Sequence, residues 1–206
     1  MICFQGHGVS KGLAKGPVCF YRRAEAPAIP TEANDPAGEK RRLADAAAES
    51  VRQLRALAET AREKAGDEAA LLFEAHALLL EDEDFTGCMN AAIEAERCTA
   101  GRAVALARDQ FAAMLAATGD ATMQARADDV RDVARRILNN LTGAAERAIT
   151  LNEPAILAAA ELSPSETLLL DKSKLLGLLT QGGSGNSHTA ILARTLGIPK
   201  TWLKPG

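Results

Sequence analysis

A glycine-rich turn that ends in a histidine is the feature of the sequence with the clearest chemical meaning. Residues 182–188 read GGSGNSH. Glycines at the end of a strand let backbone N–H groups approach an anion, and the N-terminus of a following helix favours negative charge. A phosphate-binding P-loop would place a lysine after such a turn, whereas this sequence has Ser187 and His188. The turn therefore predicts covalent capture of a phosphoryl group rather than purely ionic binding.

His188 is the residue that would carry this chemistry. Imidazole is a neutral nucleophile near pH 7 that can form a phosphoramidate, and the resulting dianion would lie beside N–H donors at a helix start. A single histidine beside glycines is also compatible with a plain helix cap. The turn taken alone leaves both interpretations open.

Acidic residues are concentrated in a second segment, residues 67–84. This segment contains seven Asp and Glu residues and no Lys or Arg, in a chain whose net charge is −3. At helical spacing, Leu72, His76, Leu79 and Glu83 fall on one stripe, which predicts an apolar strip edged by acid. Such a strip suits a small basic partner, although charge runs are commonly only a solvated face.

The composition excludes several classes of protein. Aromatic residues make up 3% of the chain and the net charge is slightly negative, so nucleic-acid binding is not expected. No apolar run is long enough to span a membrane, and no secretion signal is recognised. The four cysteines form no CxxC pair and have no histidine at zinc spacing. We therefore expect reduced thiols, no metal site and a cytoplasmic location.

The turn needs a strand before it and a helix after it, and the C-terminal part of the sequence supplies both. Residues 175–180 predict a buried strand, and residues 187–196 predict a short helix. Residues 156–159 predict another strand. Ser163 and Glu166 have the spacing of a capping box at a helix start. This alternation of strand and helix is typical of an α/β domain.

Helix-forming residues dominate the middle of the chain, from about 36 to 143. Apolar positions recur three and four apart in five successive segments. The N-terminal segment around Val18 suits a strand, which would pair with the C-terminal strands. The predicted fold class is therefore α+β, with a helical bundle at 34–145 inserted into an α/β domain built from 1–21 and 146–206.

Five segments of the sequence resemble the phosphoenolpyruvate-utilising enzymes. The run GGSGNSHTAILARTLGIP looks like their phosphohistidine signature. The others, GHGVSKGLAKGP, LFEAHALLLEDEDF, ADDVRDVARRILNNLTG and AAAELSPSETLLL, are similar to the N-terminal half of the Enzyme I proteins of the bacterial sugar phosphotransferase system. In that family a helical subdomain that docks HPr, a small histidine phosphocarrier, is inserted into a swivelling α/β phosphohistidine domain. The resemblance implies the same layout that the patterns predict.

The resemblance also implies roles for individual residues. His188 would be phosphorylated on its ε nitrogen, and Ser163 would orient the other ring nitrogen, with a plain helix cap as the alternative role of Ser163. Thr189 would donate to the phosphoryl oxygens. The phosphate loop would consist of Gly182, Gly183 and Ser187. The HPr-binding surface would consist of Asp67, Glu68, Leu72, Glu74, His76, Leu79, Glu83, Asp84 and Arg126, with a core-edge position as the alternative for His76.

Two departures from the family pattern bear on activity. After GIP the family continues into a valine-rich strand, whereas this sequence reads KTWLKPG, so we expect an incomplete swivelling domain. The C-terminal domain that binds phosphoenolpyruvate and Mg²⁺ in the family is not matched, and no cofactor is expected in this chain itself. The predicted function is that of a phosphotransferase domain that accepts phosphate on His188 and passes it to HPr in sugar uptake.

Two alternatives remain open on the sequence. A non-catalytic module would only dock a phosphocarrier through its helical bundle. Another member of the family, such as a dikinase or a dihydroxyacetone-kinase phosphotransfer subunit, would share the histidine motif, but the helical segments favour Enzyme I.

Overall fold

The chain forms two compact units. The computed structural model describes residues 5–23, 29–144, 149–181 and 187–203. The units, which we call the α/β unit and the helical unit, comprise residues 1–25, 61–69 and 147–206, and residues 26–60 and 70–146, respectively.

Five helices are described between residues 36 and 142. They are α1 (Pro36–Ala65), α2 (Asp67–Glu81), α3 (Glu83–Glu96), α4 (Ala100–Ala116) and α5 (Ala121–Thr142). The side chains of Asp82, Thr99 and Asp120 cap α3, α4 and α5 by accepting backbone N–H groups of the first turn. Gly143 follows α5 with a φ of 68°, a conformation that favours glycine. The predicted helical bundle is confirmed.

The interior of the helical unit is apolar, with a polar network between α1 and α5. Among its largest buried side chains are Leu54, Phe73, Phe85, Met89, Ile93, Val104, Val133 and Ile137. Arg136 Nη1 donates to Gln53 Oε1 at 3.1 Å, and Gln53 Nε2 donates to Asn140 Oδ1 at 2.9 Å. Asn140 Nδ2 in turn donates to Ser50 Oγ at 2.8 Å. A slip between the two helices would break these part-buried bonds, so the network favours one register.

The α/β unit contains a mixed sheet. Its described strands are β1 (Gly6–Ser10), β2 (Val18–Tyr21), β3 (Ala155–Ala159), β4 (Leu175–Thr180) and β5 (Lys200–Leu203), in the order β1-β5-β4-β3-β2. Strands β2 to β5 run parallel, and β1 pairs antiparallel with β5. Both ends of the chain therefore build one sheet. The predicted α+β class, with the bundle inserted between two parts of the α/β domain, is confirmed.

Strand β5 is formed by the segment that departs from the family pattern. Lys200, Thr201 and Trp202 pair with β4, and the same segment pairs with β1 on its other side. Because KTWLKPG departs from the family's valine-rich strand, no strand is predicted for this segment from the sequence. Hydrogen bonding to two neighbouring strands forms a strand here although the local pattern is weak.

Two short helices complete the described part of the α/β unit. Helix α6 (Pro164–Leu169) contacts α7 (His188–Thr195), and α7 also contacts β1 and β5. Leu192 and Ala193 of α7 are buried. The core below them contains Leu157, Leu162, Leu178, Leu196 and Ile198. The helix that begins at His188 is thus anchored on the sheet. Within the described residues, no helix has the length and apolar character that crossing a membrane requires.

Candidate functional site

His188 is the first residue of α7. The N-cap of this helix is Ser187, whose Oγ accepts a hydrogen bond from Ala190 N at 3.3 Å. The first N–H groups of a helix lack intrahelical acceptors and carry the positive end of its dipole. The half-buried imidazole of His188 is therefore attached at the positive end of the α7 dipole. Gly182 and Gly183, which the sequence analysis assigns to the phosphate loop, lie outside the described residues.

Thr189 joins the start of α7 to the segment before α6. Its hydroxyl donates to Leu162 O at 2.9 Å, and the side chain is buried. A hydroxyl has one proton, so in this conformation Thr189 cannot also donate to a phosphoryl group. The structure corrects the expected role of Thr189. Its hydroxyl links the start of α7 to Leu162, the residue before Ser163.

Ser163 is the N-cap of α6 and a member of a complete capping box. Its Oγ accepts from Glu166 N at 3.1 Å, and its own N–H donates to Glu166 Oε2 at 2.8 Å. The capping role is therefore present. Among the described residues the hydroxyl has no further hydrogen bond, so its proton and its second lone pair are not used within the capping box.

Glu166 is bound by more groups than a capping box requires. Tyr21 OH donates to Oε1 at 2.9 Å, Arg23 Nε donates to Oε1 at 3.2 Å, and Arg23 Nη2 forms a short ion pair with Oε2. Burial raises the pKa of the Glu166 carboxyl, but hydrogen bonds from Arg23 and from Ser163 N–H outweigh it and lower the pKa overall. The carboxylate is consequently charged over the ordinary pH range.

A cleft of about 480 Å³ opens at the carboxyl ends of the parallel strands. Tyr21 and Arg23 line one side, and Thr180 and Gln181 line the other, where the chain leaves β4 toward His188. Thr180 Oγ1 is buried and has no hydrogen-bond partner among the described residues. The strand ends, the Glu166 cluster and the start of the histidine loop therefore share one end of the sheet.

The exposed apolar residues of α2 differ from those that the sequence analysis selects. Leu72 and Leu79 are only half-buried edge residues, whereas Leu71 and Leu78 are 61% and 66% exposed. Residues seven apart lie on the same face of a helix. Leu71 and Leu78 have this spacing, so the exposed apolar face of α2 is rotated by one residue from the predicted stripe.

His76 contacts other side chains of the helical unit. The residue is 3% exposed, and its Nε2 lies 3.1 Å from Asp129 Oδ1. Its ring meets Phe73 edge to face at a centroid distance of 6.4 Å. In this structure the imidazole is largely shielded from solvent, and its expected place on the HPr-binding surface stays a prediction.

The remaining members of the expected docking surface are accessible. Glu74 is half-buried, and the other side chains are exposed in the first turns of α2 and α3 and on α5: Asp67, Glu68, Glu83, Asp84 and Arg126. No described residue in the last turn of α2 or α3 is basic. These helices therefore present negative charge to solvent.

Comparison with known proteins identifies relatives across nearly the whole chain. The description "PEP-utilising enzyme, N-terminal" matches residues 5–126, and "PEP-utilising enzyme, mobile domain" matches residues 151–201. The phosphoenolpyruvate-protein phosphotransferase of Enterococcus faecalis is 34% identical over 197 residues, which is 95% of this chain and 34% of that protein. That of Lactococcus lactis subsp. lactis is 38% identical over 167 residues, or 80% of this chain and 29% of that protein.

Solved structures show the same fold. The solution NMR structure of an Enzyme I protein superposes with a TM-score of 0.76 at 31% identity, covering 97% of this chain and 82% of that one. The N-terminal domain of Enzyme 1 - Nitrogen gives a TM-score of 0.65 at 26% identity, covering 99% and 85%. The chain spans about a third of the length of the curated relatives it matches.

Proposed function

The chain belongs to the family of PEP-utilising enzymes, as the N-terminal region of an Enzyme I, and from this premise we propose that it carries a phosphoryl group on His188 and exchanges it with HPr. The observation that carries the proposal is the position of His188 as the first residue of α7, after the Ser187 cap and beyond the end of β4. This position combines a nucleophile with a helix N-terminus.

In the proposed transfer, the Nε2 lone pair of His188 forms the new N–P bond. The electron pair of the broken P–N bond returns to the ring nitrogen of the phosphorylated HPr histidine. For Nε2 to be the nucleophile, the neutral ring must hold its proton on Nδ1. We propose that Ser163 Oγ accepts this Nδ1–H with the lone pair that the Glu166 N–H does not use.

Docking of HPr is proposed to involve the exposed faces of α2 and α3. Within the helical unit these helices present two exposed leucines, Leu71 and Leu78, and exposed acid at Glu83 and Asp84. An apolar contact with acidic surroundings suits a partner that is basic around an apolar patch. The charges would mainly accelerate association, and the leucines would supply buried area.

Labelling from phosphorylated HPr tests the proposal. Incubation of the chain with HPr carrying a radioactive phosphoryl group should give acid-labile, base-stable label on the wild type and none on His188→Ala. His7→Ala is the matched control, since His7 lies on β1 with its ring against Trp202, and it should label normally.

Two outcomes would count against the assignment. Label on His188→Ala at the wild-type level would place the phosphoryl group on another residue. A folded wild-type chain that binds HPr but takes no label would favour a docking module without phosphoryl transfer.

A further inference from the structure

The carboxylate of Glu166 connects strand β2 to the start of α6. In a simple capping box a glutamate accepts only the N–H of the cap residue. Here Glu166 Oε1 also accepts from Tyr21 OH, at the end of β2, and from Arg23 Nε. Glu166 Oε2 also accepts from Arg23 Nη2. The Glu166 side chain is 9% exposed. Its orientation is therefore fixed from two sides.

The arginine and the carboxylate form a two-point contact. Arg23 uses two nitrogens of its planar guanidinium, one for each oxygen. Such a fork sets the plane of a carboxylate as well as its distance. Since Glu166 Oε2 also accepts the N–H of Ser163 at 2.8 Å, the plane that Arg23 sets determines where the Ser163 backbone is held.

The contact closes a ring of structure around Ser163. Strand β2 pairs in parallel with β3 along its whole length, from Val18 opposite Ile156 to Tyr21 opposite Ala159. The chain then runs from β3 through three residues to Ser163. Glu166 returns the connection to Arg23, so Ser163 is fixed both along the chain and across the sheet.

A further bond brings this ring to the histidine. Thr189 Oγ1 donates to Leu162 O at 2.9 Å, and both residues are buried. Leu162 precedes Ser163, and Thr189 follows His188. A displacement of the start of α6 would therefore also displace the first turn of α7.

We propose that Arg23 and Tyr21 are positioning residues for the reaction of His188, which they influence by fixing Glu166 and, through it, the hydroxyl of Ser163. The proposal rests on the proposed function of His188. Neither residue touches the phosphoryl group. Their effect is to hold the acceptor that selects the Nδ1–H form of the imidazole, and hence the nucleophilic Nε2.

The charges of the cluster suit this role. Burial lowers the pKa of Arg23, but the neighbouring Glu166 carboxylate outweighs it and raises the pKa overall. Burial and the same carboxylate raise the pKa of Tyr21. All three side chains therefore keep one protonation state near neutral pH, so the contact does not depend on a proton transfer within the cluster.

The first measurement is the tautomer of His188 in the whole 206-residue chain. The two imidazole ¹⁵N resonances report which ring nitrogen carries the proton, and His188→Ala assigns them. We expect the Nδ1–H population to fall in Arg23→Ala and in Glu166→Gln. Arg22→Ala is the matched control, because Arg22 is the exposed residue next to Arg23 and makes none of the bonds to Glu166; it should leave the resonances unchanged.

The second measurement is the rate of transfer from phosphorylated HPr. Loss of the positioning hydrogen bonds should lower kcat about tenfold in Arg23→Ala, with KM for HPr unchanged. Arg23→Lys should recover only part of the rate, because an ammonium lacks the planar fork. Arg22→Ala should transfer at the wild-type rate.

The outcomes separate this proposal from the proposed function. Wild-type tautomer and rate in both Arg23→Ala and Glu166→Gln, or an equal loss in Arg22→Ala, would overturn the positioning role. If Arg23→Ala fails to fold, as judged by Trp202 fluorescence, Glu166→Gln decides, since its amide oxygen still accepts the Ser163 N–H. If the wild type takes no phosphate, the proposed function fails, while the resonances still test the positioning.

Discussion

Lys200 in β5 is a cation held within the sheet of the α/β unit. Its side chain is 3% exposed, and burial, assisted by the positive charge of Arg194 and opposed by Glu161, lowers its pKa from 10.5 to about 8. Between these two values the unfolded chain binds a proton that the folded chain does not. The free energy of unfolding should therefore rise with pH between about 8 and 10.5. At lower pH the buried amine is charged in the folded chain, and this charge destabilises the fold.

Replacement of Lys200 by methionine tests this at single-residue level. Lys200→Met should raise the free energy of unfolding at pH 7 by an amount on the order of 3 kcal/mol, because the lysine is charged there and buried. The advantage should shrink as the pH rises from about 8 toward 10.5. Urea unfolding followed by fluorescence of Trp202, which is the single tryptophan of the chain, reports on the same strand.

An exposed lysine provides the control for this measurement. Lys172 lies outside the sheet and is exposed, so Lys172→Met should change the stability by less than about 0.5 kcal/mol at any pH. A Lys200→Met advantage that stays constant between pH 6 and pH 10.5 would show that the amine is not held in a desolvated site.

At the scale of secondary-structure elements, α2 and α3 combine the two properties that a docking surface needs. The side chain of Asp82 caps α3 by accepting the N–H groups of Asp84 and Phe85 at 2.9 and 3.1 Å, so α3 is regular up to its acidic first turn. The apolar positions on the other face, including Phe85 and Met89, are buried. Charge on the exposed face can therefore be changed without disturbing the fold.

Charge reversal on α3 should weaken the proposed association with HPr. Glu83→Lys should lower the association rate constant, with a smaller effect on dissociation, because long-range attraction steers the encounter. The wild-type rate should also fall with added salt, since the screening length is about 10 Å at 0.1 M. Stopped-flow binding with labelled HPr measures both effects.

Asp45→Lys supplies the matched control for charge. Asp45 is exposed on α1, and its reversal changes the net charge by the same amount. An equal fall in association rate for Asp45→Lys and Glu83→Lys would mean that net charge alone acts. An association rate that changes neither with Glu83→Lys nor with added salt would show that the acidic segment is only a solvated surface.

At the scale of the whole molecule, the two units divide the proposed function. The helical unit presents the acidic and apolar faces of α2 and α3, and the α/β unit carries His188 at the start of α7. The relatives are about three times as long as the matched region. The resemblance assigns the binding of phosphoenolpyruvate and Mg²⁺ to a domain that these 206 residues do not match.

We therefore expect the 206-residue chain to discriminate between two phosphoryl donors. Phosphorylated HPr should label His188, because that exchange needs only the histidine and a docking surface. Phosphoenolpyruvate with Mg²⁺ should not label His188, because this triply charged donor needs a metal site and a cationic clamp. Parallel labelling with both donors, in one buffer, makes the comparison. Direct labelling from phosphoenolpyruvate would contradict the division.

The local patterns of the sequence were sufficient for most of the architecture and for the choice of His188 as the residue on which the proposal rests. Helical periodicity and the capping box of Ser163 and Glu166 are encoded within a few neighbouring residues, and so is the strand–turn–helix pattern around His188. Such signals depend on backbone preferences that act over one or two turns. The bundle inserted in an α/β domain follows from them because both chain ends carry strand patterns.

The pairs of side chains that meet across the sheet follow from the assembled fold and not from local sequence. Arg23 and Glu166 are separated by 143 residues, and no spacing rule relates them. The contact of His76 with Asp129 and the exposure of Leu71 and Leu78 likewise depend on which side of α2 faces the other helices. Strand β5 exists because β1 and β4 bind its backbone on both sides, although Lys200 opposes burial. Pattern predicts elements from short-range energies, whereas packing selects partners from contacts that form only once the elements assemble.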